Sequence, residues 1–230
     1  MICVECGAPI AKVYRQFSAG NIRLCRCSHC GEFADPYVEQ ELILIVLDLL
    51  LLRGPVYRHV LFNRTKFCPR GIDSTYLRIL ILYLFYETYL QARSLLMSPM
   101  NGRDVDVISM NVLLGVGRAL LWVCAESVVY FLAVLLSTRV LLSLNGTIVK
   151  YNYLAMTLIL GSFGKLFVFF TLVWYYNPVI YTVLLDLYIF ASQAVALRVF
   201  LDVTQTQAAC VIASSVLLRR ALMTVLSYFL

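Results

Sequence analysis

Long apolar stretches, each broken by only a charge or two, limit what this chain can fold into more than any other feature. Of 230 residues, 61% are apolar and 14% charged, and the mean hydropathy is +0.83. A soluble domain is about half apolar and a quarter charged, so this balance argues against a soluble globule. Disorder is excluded as well, because disordered chains lack this density of Leu, Ile, Val, Phe and Tyr. The net charge of +6 suits a membrane surface at least as well as nucleic acid, and no nucleic-acid partner is expected. A bilayer-crossing helix needs about 20 apolar residues.

Four spans are expected from hydropathy, near 74–92, 119–138, 153–176 and 179–197. Asp73, Ser74 or Thr75 can cap the first, which is the weakest because Arg78 and Glu87 interrupt it. Arg118 and Arg139 bracket the second. The third stops at Asn177-Pro178, and Arg198 closes the fourth. Gly161 with Gly164, and Ser192 with Ala196, mark close helix contacts. In the tail, 202–230, Arg219-Arg220 cut the apolar run into pieces too short to span. An interfacial helix is favoured there, with a fifth span as the alternative. The basic segment 53–70 and the short basic loop between Arg139 and Lys150 fall on one side of the membrane. The loop in which Asp104 and Asp106 answer Arg103 falls on the other. The positive-inside rule then makes the N-terminus cytosolic.

Each span carries an ionisable residue: Glu87, Glu126, Lys165 and Asp186. Alternating helix direction puts all four at similar depth. A lone charge there costs roughly 3 kcal/mol on insertion scales, so Lys165 is expected to face Glu126 or Asp186. Two readings follow, a structural ion pair or a polar seam that holds lipid headgroups, and the ion pair is preferred.

The eight cysteines are not scattered. Cys3-x-x-Cys6-Gly7 and Cys27-x-x-Cys30-Gly31 stand twenty residues apart. Two such knuckles joined by a short hairpin supply four thiolates for a tetrahedral ion, and zinc is expected. The Gly after each second Cys permits the positive φ of a tight turn. No βαβ pattern surrounds either motif, which argues against a redox pair. Cys25 and His29 are too few to complete an eight-ligand cross-brace. Cys25 reads as a spare thiol, and His29 as a polar residue of the knuckle turn. The start of the chain shows neither a basic n-region nor an apolar h-region, so no signal peptide is expected.

Between the finger and the spans, the acids Glu32, Asp35, Glu39, Glu41 and Asp48 give way to the bases Arg53, Arg58, Arg64, Lys66 and Arg70. Within this switch lies the apolar run 42–52. Eleven residues rise about 16 Å as helix, too little to cross. The run is expected to be buried in protein or to sit shallowly at the cytosolic interface, stopped by Gly54-Pro55. Tyr57, Arg58, Arg64 and Lys66 are then expected among the headgroups. His59 is as apt to pack or cap as to bind lipid, and Asp48 to pair with Arg53 or Arg58 or to cap backbone. The expected domains are 1–36, a zinc-ribbon-like part; 37–70, the interfacial helix and basic segment; 71–201, the bundle; and 202–230, the tail. The fold class is a mainly α membrane protein.

The stretch from Cys3 to Asn63 resembles the Arv homology domain. The resemblance runs through both knuckles, Tyr14, Ser18-Ala19-Gly20-Asn21-Ile22-Arg23-Leu24, Ala34-Asp35-x-Tyr37-Val38-Glu39, the run ending Leu47-Asp48-Leu49-Leu50-Leu51, and Tyr57-Arg58-His59-Val60-Leu61-Phe62-Asn63. Cys25 stands where the family usually has Thr, and Pro36 interrupts the acidic segment. Beyond Asn63 the likeness is mainly hydropathy, with Gln207-Ala208 a faint echo. This resemblance implies a multi-pass protein of the endoplasmic reticulum, and of the Golgi, in sterol, sphingolipid and glycosylphosphatidylinositol-anchor homeostasis. The implied partners are membrane lipids, sterols or glycolipid intermediates among them, and lipid- or anchor-synthesis enzymes. A closed four-cysteine site, two His outside the spans and no hydrolase or transferase motif point away from catalysis. Lipid handling and a non-catalytic adaptor role remain the two readings.

Overall fold

The computed structural model describes residues 1–18, 21–65, 71–96, 105–142, 151–168 and 178–229. The chain is mainly helical, and it forms two compact units, each discontinuous in sequence.

The first unit comprises Met1–Asp73 and Ile148–Ala209. It opens with an antiparallel hairpin, β1 (Tyr14–Ser18) and β2 (Asn21–Leu24), in which Tyr14 faces Leu24 and Arg15 faces Arg23. After a 3-10 turn at Pro36–Val38, with the Asp35 side chain accepting from the Tyr37 N–H, comes α1 (Leu42–Leu50). The structure differs from expectation at its end. Leu52, not Gly54, takes the left-handed conformation (φ 55). The N–H of Leu52 then reaches the Leu49 carbonyl and that of Arg53 the Asp48 carbonyl, a Schellman ending. Gly54 and Pro55 instead open α2 (Gly54–Arg58), where the missing Pro N–H costs nothing. A π-helical turn, His59–Arg64, follows.

Later in the same unit, α5 (Tyr151–Gly161) packs on α6 (Pro178–Leu201). The contact is as close as the small residues implied. A Cβ on Gly161 would stand 2.8 Å from the Gln193 Cα, and one on Gly164 would stand 2.8 Å from the Tyr188 ring. Ser192 and Ala196 are buried. The expected span 153–176 is not one α-helix. It breaks after Gly161 into a 3-10 turn, Phe163–Val168, because two glycines within four residues remove helix propensity. Its remainder, like Asn177, Lys66, Arg103, Asp104 and Lys150, lies outside the described residues.

The second unit, Ser74–Thr147 and Cys210–Leu230, holds α3 (Ser74–Leu96), α4 (Val105–Leu141) and most of α7 (Gln205–Phe229). Among the described residues, three helical segments are long and apolar enough to cross a membrane: Val112–Leu141, Ile180–Leu201 and Gln205–Tyr228. They contain the expected span 119–138 and all of 179–197 except its first residue. The α3 helix is continuous over 74–92 but is not among them, for Arg78, Glu87 and four tyrosines dilute it. In the tail, α7 runs unbroken through Arg219-Arg220, and both readings of it, an interfacial helix and a fifth span, need a continuous helix. Its start is a capping box that the sequence carries openly as Thr204-x-x-Gln207. The Thr204 N–H donates to Gln207 Oε1 (3.1 Å), and the Gln207 N–H returns to Thr204 Oγ1 (3.3 Å).

Within this unit Glu126 pairs with Arg219 (3.4 Å), and the Arg219 guanidinium lies over the Tyr130 ring (5.3 Å). Glu87 is half-buried on α3. Lys165 lies in the 3-10 turn and Asp186 is exposed on α6, both in the other unit.

Two predictions follow from this packing. Gly161→Leu must push against backbone, so it should cost about 1–3 kcal/mol, read as a lowered unfolding temperature in detergent. Glu126→Leu or Arg219→Leu alone should destabilise more than the two together, since the double variant strands no charge. Equal or additive losses would contradict the pairing.

Candidate metal centre

Cys3, Cys6, Cys27 and Cys30 come together as the sequence spacing requires, with all four Sγ atoms within 4.8 Å of one another. Their framework is two equivalent turns. The Cys3 N–H donates to the Ala8 carbonyl and the Gly7 N–H to that of Cys3. The Cys27 N–H donates to the Glu32 carbonyl and the Gly31 N–H to that of Cys27. Gly7 and Gly31 carry φ of 76° and 78°, which explains glycine at both places. Cys25 and His29 stand outside the cluster.

The geometry suits a tetrahedral ion. Metal–sulfur bonds of about 2.3 Å give a tetrahedron with edges of about 3.8 Å, and Cys3–Cys30 and Cys6–Cys27 are each 3.7 Å apart. Electrostatics points the same way. The backbone N–H groups of Cys30 and His29 hold the Cys27 thiol down to about 6. The Glu32 N–H favours a Cys30 thiolate, but burial and the neighbouring thiols outweigh it and push Cys30 up to about 12. Burial raises Cys3 as well. One thiolate forms readily, and further negative charge at this spacing needs a cation. The four cysteines are thus compatible with a structural metal.

The finger is bolted to the helical part of its unit by residues the sequence assigned to the membrane surface. Tyr57 is fully buried, its hydroxyl 2.8 Å from Ser192 Oγ on α6, so it does not sit among headgroups. Arg58 donates to the carbonyls of Val4 and Glu5, inside the first knuckle, both at 2.8 Å. His59 packs: it is buried, with Nδ1 2.7 Å from the fully buried Asp35 carboxylate and its ring 5.4 Å from that of Tyr37. Asn63 donates to Asp35 (2.8 Å) and exchanges two hydrogen bonds with the Ile2 backbone, at 2.9 Å each. Burial first, then the Asp48 carboxylate, raises the Tyr37 phenol, which remains a donor to Asp48 at 2.8 Å. Asp48 takes the first of its expected partners, Arg53, at 3.2 Å. Of the basic block, Arg64 is exposed. The docking role was readable only in hindsight. Asp35, His59 and Asn63 lie up to 28 residues apart, and no local pattern links them.

Three candidate spans among the described residues, and a four-cysteine finger compatible with a metal, define the class, a helical membrane protein. Comparison with known proteins narrows this. The chain belongs to the Arv1-like family, whose model matches residues 2–197. It is 38% identical over 217 residues to the protein arv1 homolog of Dictyostelium discoideum, covering 90% of this chain and 87% of that one. To protein ARV 2 of Arabidopsis thaliana it is 31% identical, covering 93% and 90%. Protein arv1 of Schizosaccharomyces pombe is 48% identical over 65 residues, 27% of this chain and 24% of that one. No solved structure matches.

Arg58→Ala should weaken metal binding about 10- to 100-fold, the usual effect of losing an outer-shell partner, whereas the exposed Lys12→Ala should not. Chelator competition on the full chain measures both. Acidification should release the ion, more steeply below about pH 6, where Cys27 takes up a proton as well.

Proposed function

We propose that this chain is a non-catalytic mediator of lipid homeostasis in membranes of the endoplasmic reticulum, and of the Golgi. It handles sterol uptake, trafficking and distribution, with linked effects on sphingolipid metabolism and glycosylphosphatidylinositol-anchor assembly. The observation that carries this reading is family membership across residues 2–197. The docked finger adds physical support, for it fixes a rigid polar module on helices suited to lipid. In this reading the ion is zinc and the finger faces the cytosol, as the basic segment 53–70 favours. A second reading, an adaptor for lipid- or anchor-synthesis enzymes, draws on the hairpin. There Arg15 and Arg23 stand side by side, with the 64%-exposed Phe17 next to Arg23. Like charges directly opposed cost stability unless something answers them.

The test is rescue of sterol and glycolipid distribution in cells lacking their own family member. The intact chain should restore both, and Cys27→Ser should not. Arg15→Glu with Arg23→Glu separates the two readings. Loss of rescue, with lipid movement intact in liposomes of purified protein, favours the adaptor. If the intact, correctly located chain leaves both distributions unchanged, the proposal is wrong.

A further inference from the structure

Helix α1 leaves an unusual surface uncovered. At 100° per residue, Leu42, Val46, Ile43, Leu47 and Leu44 sweep an arc of about 200°, and each is between 44% and 68% exposed. Leu50 lies within that arc and is half-buried. The rest of the circumference holds Ile45 and Leu49, packed on protein, and Asp48, turned to Tyr37 and Arg53. A helix lying on a membrane surface keeps a polar face for water. Here every side chain not packed on protein is apolar.

The two ends of α1 differ. At the C-terminal end each of the last four carbonyls has a donor. The N–H of Leu51 goes to Leu47, that of Arg53 to Asp48, that of Leu52 to Leu49, and the Tyr188 hydroxyl to Leu50 (3.1 Å). A helix end away from water requires that completeness. Tyr188 belongs to the span Ile180–Leu201, thirteen residues or about 20 Å of helix from the Leu201 end. Gly54, just past the corner, lies against Val199 near that end. At the N-terminal end, Glu41 makes no side-chain cap, and Glu39, Gln40 and Glu41 are exposed, as suits water.

We propose that α1 enters the acyl-chain region of the leaflet on the finger's side, C-terminal end first, as a tilted wedge whose partner is lipid hydrocarbon. The charged Arg53 stays with Asp48 on the edge turned toward the finger's Tyr37. The wedge occupies one leaflet only, so it adds area there and not in the other. It holds whichever lipid the protein handles and whether or not it acts as an adaptor.

The test places single tryptophans by Leu42→Trp, Leu47→Trp and Leu51→Trp in the full chain, with Trp122→Phe and Trp174→Phe. The protein is reconstituted in phosphatidylcholine vesicles brominated near the headgroup or near the chain end. Expected is quenching by lipid at all three positions, with the site of strongest quenching moving deeper from 42 to 51. Three outcomes overturn the proposal. Quenching by aqueous iodide at 47 and 51 puts the helix in water. Equal depth at all three lays it flat. Protection from both lipid and iodide means a protein covers it. Each outcome is independent of the rescue assay, so failure here leaves the homeostasis reading standing.

Discussion

Four thiols within 4.8 Å form the constraint on which the finger depends. The module has little else to hold it. Val4, Val13 and Ala34 are its small buried residues, and a two-stranded hairpin alone is marginal in water. An ion held by the four thiolates would supply the folding free energy that so small a core cannot. It would also fix the first knuckle, whose carbonyls at Val4 and Glu5 are the acceptors for Arg58.

That dependence passes to the helices. Asp35, wholly buried, gathers the Tyr37 N–H, His59 and Asn63, so one carboxylate ties the finger's exit to the π-helical turn. From this turn α2 leads directly to α6 through Tyr57 and Ser192. A polar network in a dry place rigidifies only when every member is satisfied, and here the carboxylate, imidazole and amide each have partners. The basic block thus serves two ends. Arg58 is spent on docking, whereas Arg64 stays exposed.

How much was legible depended on range. The cysteine spacing specified the cluster, and the glycines after it announced their positive φ. The apolar runs at 119–138 and 179–197 gave two candidate spans at once. What failed was long-range or hidden behind a local rule. Arg219 interrupts an apolar run in the sequence, and its partners, Glu126 and the Tyr130 ring on α4, are not visible locally. Placing Tyr57 and Arg58 in headgroups followed from amphipathic side chains near a basic run. Their partners, Ser192 and the Val4 carbonyl, lie 135 and 54 residues away. The break at Gly161 was signalled, since the same small residues that allow close packing also weaken the helix.

The most direct measurement is metal content joined to X-ray absorption on the purified full chain under reducing conditions. The account predicts one ion per chain in a shell of four sulfurs at about 2.3 Å. A folded, helix-docked finger with no stoichiometric metal, or with a shell of nitrogen and oxygen, would contradict it.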